Sequence, residues 1–598
     1  MPGSDGLIEA AQQFMASGRI EEADMLLDDV LSAMPGHVNA LCLRASSLLA
    51  RGQKDRAFSL LSELATQCPD RADIVGNLGM VHHMEGRGEE ARYCYERAVA
   101  LRPEEGAYRV SLATVLISIG EVAEAREQIV HLLDIGRETD NRELVAEARS
   151  LTARIALMGN ALFEAEQALR DALELRPGHP MDLSLRSDVL ARLQHKEEAL
   201  ALAEQVYRKA PADHDSVVLL ARRLLDLNRF AEAERHLRRT VATAPNHVEA
   251  NYLLATLLVL KGEGARALAG FAGHVRQAPN DAGLLMRMAT LVRLSGDLEK
   301  ALSFAELALK QEADNGAARL LRDDILLALG RIGEVWPEKP EEERSGAVPA
   351  ITVPLALPSG DVLLLCRFAS RLAPPGQRIV CHAEPDLLPL LVGISSLLPT
   401  DEPAQAGAVP ITDLPDLLGV GEDPAAAPYL AVEEGRFVRW ADAVAHLPRP
   451  LIGIVWDEVP PGLTLDGLVK MLSESLAGAG TVVSLVFDQG RSQLSAYPAI
   501  VDAGMNFTDS RDLAAAVAQL DLVVGSDGLA MHVAGALGRE AVIAAPSLQP
   551  WVWAQRDGRS VWYPTIQVVR QPAPGSWDTV LATLASVVRE KALGTQEP

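Results

Sequence analysis

Small and apolar residues recur every 34 positions over residues 5–313, and this period predicts repeated pairs of helices. An alanine stands twelve residues before each proline position, and another small residue stands twelve residues before that alanine. The prolines are Pro35, Pro69, Pro103, Pro177, Pro211, Pro245 and Pro279. The alanines are Ala23, Ala57, Ala91, Ala125, Ala165, Ala199, Ala233, Ala267 and Ala301. The preceding small residues are Ala11, Ala45, Gly79, Ala113, Ala153, Ser187, Ala221, Ala255 and Ala289.

Each position of this period has a physical role in a helical hairpin. Two helices of about a dozen residues fit between prolines, and a small residue in each lets the pair cross closely. Glycine between the two small positions ends the first helix with a positive φ, and proline ends the second helix. The glycines are Gly18, Gly52, Gly86, Gly120, Gly262 and Gly296, with Gly159 one place off.

The period predicts an α-solenoid, because one hairpin cannot bury its apolar face alone and must stack on others. We expect nine hairpins over 5–313 and a capping helix over 317–329, ending at Gly330. One step of 40 residues indicates a six-residue insertion near 135–145, which forms either a longer loop or a helix extension.

The 34-residue period resembles the tetratricopeptide repeat, and the third repeat matches it best. The matching residues there are Leu78, Gly79, Ala91, Tyr95, Ala98 and Pro103. The resemblance implies a concave groove that takes a peptide or a partner helix. Family members that hold a terminal carboxylate use a set of Asn and basic residues. This chain has Asn77 without a matching set, so that mode is not supported.

The helical period stops at a linker over 338–350, rich in proline and charge, and strands then alternate with helices. Such alternation predicts parallel sheets, and we expect two Rossmann-like lobes over 351–447 and 448–598. The repeat domain is 1–337. The predicted strands are 351–357, 378–385, 450–458, 480–488, 521–527 and 540–546. The predicted helices are 362–372, 463–479, 512–520, 528–538 and 576–593, and 399–448 is expected to be rich in loops.

The segment 521–546 is the most informative part of the α/β region. A buried strand ends at Gly525, Ser526 and Asp527, and a helix starts at Gly528. Ligands of open α/β sheets bind at this edge, and the free N–H groups of a helix start suit a phosphate. Asp527 can accept a hydrogen bond from a sugar hydroxyl, or it can cap the helix as in an ordinary strand–helix junction.

Composition narrows the classes of function. The net charge of −25 leaves neither half with the basic excess of a nucleic-acid or membrane-surface binder. The five cysteines are odd in number and form no C-x-x-C, so we expect buried free thiols and no zinc. The start of the chain lacks a signal peptide, and no apolar run could span a bilayer. We therefore expect a cytoplasmic protein.

Residues 523–546 resemble the nucleotide-sugar segment of heptosyltransferase-like glycosyltransferases, which have the two-lobed GT-B fold. The family's strand ends in V-D-T and is followed by A-H-L-A-G-A-L-G; Gly528 replaces its Thr or Ser. The matching residues in this segment are Asp527, His532, Gly535, Ala536, Leu537 and Gly538. The family's tail is matched by Trp551, Trp553, Arg556, Ser560, Trp562, Tyr563, Pro564, Arg570 and Gln571. The start of the first lobe is matched by Gly360, Asp361, Leu364, Arg367, Phe368 and Ala369, and 452–456 matches G-L-V-W.

The resemblance implies a role for each matched position. Asp361 would be the catalytic base, and Arg556 and His532 would line the donor site beside the turn Ser526, Asp527, Gly528 and Leu529. Further cleft candidates are Ser359, Gly360, Arg367 and Trp456. Structural alternatives remain open: a helix N-cap for Asp361, a buried helix position for His532, and core packing for Trp551, Trp553 and Trp562. The resemblance implies neither a metal nor a cofactor.

Two departures from the family pattern matter. The loop before Asp361 reads LPSGD and lacks the first Gly of G-x-G-D. Residues 457–466 read DEVPPGLTLD where the family has a basic run, which removes cations that would face a diphosphate. Either the donor has one phosphate, as in a CMP-linked nonulosonic sugar, or the domain is inactive. Cations that could compensate are Arg367, Arg371, Arg511 and Arg556.

The sequence therefore predicts a protein glycosyltransferase that recruits its acceptor through the repeats and transfers a sugar from a nucleotide-sugar to Ser or Thr. Relatives with a repeat arm make flagellin a plausible acceptor by analogy. The alternative is a non-catalytic adaptor with a degenerate transferase domain. A lipid-A-core sugar transferase fits less well, because the chain has an arm and lacks a basic surface.

Overall fold

The computed structural model describes residues 4–339, residue 348 and most of the α/β region. The further described ranges are 350–354, 357–372, 377–404, 407–421, 427–456, 463–476, 480–486, 489–548, 550–572 and 576–594. The chain divides into two units, Met1–Ala244 and Pro245–Pro598. The boundary between the units therefore lies within the repeats, between Ala244 and Pro245, and not at the predicted linker over 338–350. The last repeats belong to the same unit as the α/β region.

In the first unit, residues 4–243 form seven consecutive helical hairpins, as the 34-residue period predicts. The small residues lie at the helix crossings; Ala11, Ala23 and Ala45, for example, are completely buried. The helices are α1 Ser4–Ala16, α2 Ile20–Ala33, α3 Val38–Ala50, α4 Lys54–Gln67, α5 Ala72–Met84, α6 Gly88–Leu101, α7 Gly106–Ile119, α8 Val122–Glu138, α9 Arg142–Met158, α10 Leu162–Leu175, α11 Pro180–Arg192, α12 Lys196–Lys209, α13 His214–Asp226 and α14 Phe230–Thr243.

The turns within the hairpins contain a residue with positive φ, but it is not always glycine. Gly18 has a φ of 76°, as predicted. Gly159 is not the corresponding residue of its repeat, because its φ is −85° and Asn160 takes the left-handed conformation instead. Gln194 and Asn228 do the same in the next two repeats. Asparagine tolerates this conformation better than most residues, so the turn survives without glycine.

The six-residue insertion extends the helices and does not lengthen the loop. α8 and α9 each have 17 residues, three more than the neighbouring helices α7 and α10. Gly136 lies where the extended helices meet, and a Cβ there would lie 2.7 Å from Val145 Cγ2. Glycine at this position allows the two longer helices to pack closely.

The second unit begins with two more hairpins and the predicted cap. The hairpins complete a set of nine within the fully described range 4–311. The helices are α15 Val248–Leu260, α16 Gly264–Gln277, α17 Ala282–Leu294, α18 Leu298–Gln311, the capping helix α19 Gly316–Ala328 and the short α20 Ile332–Val335.

The first lobe has a parallel sheet in the order β3-β2-β1-β4. Its strands are β1 Ala350–Thr352, β2 Ile379–His382, β3 Leu397–Thr400 and β4 Val409–Pro410. Its helices are α21 Ser359–Cys366, α22 Ala369–Leu372, α23 Leu388–Leu391, α24 Leu414–Leu418 and α25 Glu434–Val444. The predicted helix over 362–372 is thus two helices that break at Arg367 and Phe368. The stretch 399–448, which was expected to be rich in loops, also contains β4, α24 and α25.

The second lobe has its own sheet in the order β10-β11-β12-β9-β8-β5-β6-β7. The strands from β12 to β7 are parallel, and β10 and β11 form an antiparallel hairpin at the edge. The strands are β5 Leu451–Val455, β6 Thr481–Ser484, β7 Val501–Asp502, β8 Leu522–Gly525, β9 Ala541–Ala545, β10 Gln555–Arg556, β11 Arg559–Ser560 and β12 Ile566–Arg570. The helices are α26 Leu465–Leu476, α27 Ser510–Val517, α28 Leu529–Ala536 and α29 Trp577–Gly594.

Asp512 of α27 contacts α25 through hydrogen bonds and an ion pair. From this contact we predict that the protein is less stable in acid. Its side chain is fully buried and accepts from Thr508 Oγ1 at 2.6 Å, Arg436 Nη1 at 2.7 Å and Trp440 Nε1 at 3.4 Å. Burial alone would raise its pKa, but these hydrogen bonds outweigh burial and lower the pKa of Asp512 to about 2.

A carboxylate with a lowered pKa stabilises the fold fully above its unfolded-state value and loses that contribution as the pH falls towards 2. We therefore expect the melting temperature to drop between about pH 4 and pH 2. Asp512→Asn should lower stability at neutral pH and flatten this acid step, as thermal melts across pH would show. A wild-type acid step that persists unchanged in the variant would contradict this assignment.

Candidate functional site

The two adjacent strands β5 and β8 place the predicted donor site at the carboxyl edge of the second sheet. Val455 pairs with Gly525, so the segments that follow these strands start side by side. The strand order reverses between β5 and β8, which is where open α/β sheets bind ligands. A Cβ on Gly525 would lie 2.0 Å from Val455 O, so only glycine permits this close approach.

The turn after β8 leaves Asp527 partly accessible beside the start of α28. Ser526 is fully buried, whereas the side chain of Asp527 is 27% exposed. Gly528 is the residue that precedes α28, and its own N–H donates to Asp527 Oδ1 at 2.8 Å. Asp527 therefore does not cap α28 in the ordinary way, because its carboxylate accepts from Gly528, the residue before the helix, and not from an N–H within the helix.

His532 lies one turn into α28 and connects Asp527 to a buried aromatic cluster. Its Nε2 lies 3.5 Å from Asp527 Oδ1, and its Nδ1 lies 3.2 Å from the hydroxyl of Tyr563. The ring packs on Trp553 at 4.7 Å between centroids. Burial would raise the pKa of Asp527, but the hydrogen bond and charge of His532 outweigh it, so the pKa is lowered. Asp527 is therefore an anion at neutral pH.

Arg367 occupies the centre of this cluster and contacts elements of both lobes. It is 1% exposed, and its Nη1 donates to Trp562 O at 2.7 Å while its Nε donates to Leu364 O at 3.1 Å. Its guanidinium also lies over the rings of Tyr429 and Tyr563, at 4.9 and 4.7 Å from their centroids. Arg367 is thus enclosed by protein and holds the lobes together, instead of facing an open cleft.

The start of α21 in the first lobe packs directly against His532. A Cβ on Gly360 would lie 2.4 Å from His532 Cδ2, so glycine is required for this contact. Ser359 and Asp361, on either side of Gly360, are both half-buried on the first turn of α21. The structure therefore brings together the two predicted halves of the site, Ser359 to Asp361 and Ser526 to His532.

Trp456 and Arg556 are placed differently from the rest of the predicted set. Trp456 extends β5 into the core at 2% exposure, and its Nε1 has no hydrogen-bond partner among the described atoms. Arg556 is exposed on β10, and its Nη2 donates to Gly330 O at 3.4 Å, at the end of the capping helix. Arg556 thus contacts the end of the repeats.

The three tryptophans of the tail pack as core residues, which confirms the structural alternative for them. Trp553 and Trp562 are each 1% exposed. Trp551 lies 5.3 Å from Trp562 and 6.2 Å from Trp336, the residue that follows α20. This aromatic cluster seats the capped end of the repeats on the second lobe.

Of the other cations proposed for a diphosphate, Arg511 pairs with Asp509 at 2.6 Å. Residues 457–462 belong to the segment 457–466, in which the family's basic run is replaced, and they lie outside the described residues.

In the part of the chain that is described, no group of three or more metal-binding side chains is close enough together to hold an ion. None of the described helices combines the length and apolar character that crossing a bilayer requires.

The comparisons with known proteins bear on the repeats. The tetratricopeptide repeat family matches residues 77–130 and 218–282. Cellulose synthase operon protein C of Pseudomonas fluorescens is 27% identical over 345 residues, which are 50% of this chain but only 26% of that protein. Protein FlbA of Caulobacter vibrioides is 23% identical over 558 residues, covering 82% of this chain and 90% of FlbA.

Among solved structures, a tetratricopeptide repeat protein from Parabacteroides merdae aligns with a TM-score of 0.36 at 17% identity. The alignment covers 43% of this chain and 98% of that one. The family match and the helical hairpins together show that the N-terminal region consists of tetratricopeptide repeats, which are protein-interaction modules. A region of mixed helices and sheets follows.

Tyr429 supports the site from within the first lobe and is not among the residues predicted from the sequence. Its hydroxyl donates to Leu363 O at 3.1 Å and lies 3.3 Å from the hydroxyl of Tyr563. Tyr429 lies in an irregular segment without periodicity, so no local pattern could have identified it. The only sequence signal is a single aromatic residue at the end of the small and polar stretch 422–429.

Proposed function

We propose that this chain is a nucleotide-sugar-dependent protein glycosyltransferase whose repeats hold the acceptor protein. The observation that carries the proposal is the contact of Gly360 with His532. This contact packs the first turn of α21, which contains Asp361, against the first turn of α28 in the other lobe. An acceptor hydroxyl and a donor sugar could meet there within reach of two carboxylates.

The chemistry assigns one task to each group. Asp361 takes the proton of an acceptor Ser or Thr hydroxyl as its oxygen attacks the anomeric carbon of the sugar. The bond from that carbon to the nucleotide's phosphate oxygen breaks, and the nucleotide leaves with the electron pair. The N–H groups at the start of α28 stabilise phosphate charge, and Asp527 accepts from a sugar hydroxyl.

The charge of the site supports a donor with few phosphates. Asp527 is an anion, and Arg367 and Arg511 are engaged elsewhere, so a diphosphate would meet little compensating charge. A CMP-linked nonulosonic sugar has one phosphate, so it needs less positive charge from the site than a diphosphate does. We therefore place this donor class first.

The fusion of the two regions supports an acceptor that is a protein. The match to FlbA covers 82% of this chain, which is more than the repeats alone could fill, so the relative shares both regions. Tetratricopeptide repeats are protein-interaction modules, and a transferase fused to them gains a means of selecting its substrate. Flagellin is the first acceptor to try.

The test uses the full chain with candidate acceptors and nucleotide-sugars, and the acceptor's intact mass is measured. We expect a mass gain of one sugar with the wild type, and loss of this gain with Asp361→Asn at unchanged thermal stability. Asp416→Asn, an exposed carboxylate of the same lobe, serves as the matched control.

The second candidate function is a non-catalytic adaptor, which the close packing at His532 favours. His532 is 3% exposed and covered by Gly360, so little of it is available to a ligand. If no donor is hydrolysed or transferred, and if Asp361→Asn and Asp527→Ala leave donor binding unchanged, the adaptor is the better assignment.

A further inference from the structure

A cavity of about 280 Å³ lies in the first unit, among the last helices of its repeats. It is formed by the end of α12, the start of α13 and the second half of α14. The residues that matter in its lining are Tyr207, His214, Val217, His236, Arg239 and Thr243.

The charge of this cavity is unlike that of the chain. The net charge of the protein is −25, yet the described residues that line the cavity include no carboxylate. Arg239 has no ion pair among the described residues, whereas its neighbour Arg238 pairs with Glu234 at 2.7 Å. An arginine that faces a cavity without a carboxylate is suited to binding an anion from outside.

Other polar side chains that line the cavity with Arg239 can also hydrogen-bond to an anion. Tyr207 and His236 pack edge to face at 5.3 Å between centroids. Across the cavity, His214 Nε2 lies 3.4 Å from Thr243 Oγ1. Burial, together with the charges of Arg235 and Arg239, lowers the pKa of His236, so its ring is a neutral hydrogen-bonding group.

We propose that this cavity receives the carboxylate of an Asp or Glu side chain from the protein that the repeats bind. Its volume fits one side chain and not a length of peptide. Val217 offers an apolar surface for the methylene groups, and Arg239 offers a charged partner for the carboxylate. The proposal rests on the repeats as protein-interaction modules and does not depend on sugar transfer.

The test measures fluorescence anisotropy of a labelled Glu-containing peptide added to the full chain at physiological salt. A peptide with Gln in place of Glu is the matched probe, and Arg238→Ala is the matched variant. We expect the Glu peptide to bind, the Gln peptide to bind at least tenfold more weakly, and Arg239→Ala to weaken the Glu peptide about tenfold. Arg238→Ala should have no effect.

Three results would overturn the proposal: no binding of the Glu peptide at millimolar concentration, equal binding of both peptides, or equal effects of Arg238→Ala and Arg239→Ala. Displacement by inorganic phosphate at the concentration of the peptide would assign the cavity to small anions instead. Asp527→Ala should bind the peptide normally, so failure here is distinguishable from failure of the proposed transferase activity.

Discussion

Asp527→Ala should lower sugar transfer by about 10²- to 10³-fold, the loss expected when a buried polar contact to the reacting sugar is removed. Asp527 is the partly exposed anion of the site, and it directly follows Gly525 and Ser526 at the carboxyl end of β8. Asp527→Asn keeps the shape and one acceptor, so we expect an intermediate loss. The measurement is the initial rate of acceptor modification at saturating donor.

Asp578→Asn is the control for this experiment, because Asp578 is an exposed carboxylate on the first turn of α29 in the same lobe. We expect its rate to equal that of the wild type. Circular dichroism should show that Asp527→Ala keeps its fold. A folded Asp527→Ala variant with the wild-type rate would remove Asp527 from the mechanism.

Arg367→Ala should destabilise the second unit by about 3–5 kcal/mol, the range for emptying a buried site and leaving polar partners unpaired. The guanidinium holds Trp562 O and Leu364 O and packs against the rings of Tyr429 and Tyr563. Lysine keeps the positive charge but lacks the planar guanidinium with its several N–H donors. Arg367→Lys should therefore lower the free energy of unfolding by less than Arg367→Ala does. Urea unfolding of the full chain gives the values.

Arg378→Ala, a change of an exposed arginine in the same lobe, is the control and should stay within about 0.5 kcal/mol of the wild type. An Arg367→Ala variant as stable as this control would mean that the two lobes are held together by other contacts. It would also weaken the case that the site depends on the relative placement of the lobes.

The repeats could be predicted almost completely from sequence, because their contacts are local and recur with a fixed period. Even there, Asn160 shows that a turn can keep its left-handed residue when glycine is displaced by one position. The second sheet was largely predictable, since β5, β8 and β9 are continuous apolar runs. The short edge strands β7, β10 and β11 have two residues each and leave no pattern to read.

The site was predictable in outline and not in detail. Sequence resemblance identified the segments that meet, including Gly360 and His532, because each lies at a recognisable strand–helix junction. It could not show that the Arg367 guanidinium is enclosed, or that Arg556 contacts the end of the repeats. Both outcomes depend on contacts between residues more than 190 positions apart, such as Arg367 with Trp562. Such contacts are fixed by tertiary packing.

Protein glycosylation by this chain is tested most simply by the intact mass of an acceptor protein captured by the full chain. The captured acceptor is incubated with a CMP-linked nonulosonic sugar, and parallel samples receive other nucleotide-sugars. We expect a mass gain of one sugar residue with at least one donor, lost with Asp527→Ala although this variant still captures the acceptor. An acceptor that is captured but gains no mass with any donor would contradict the proposed function.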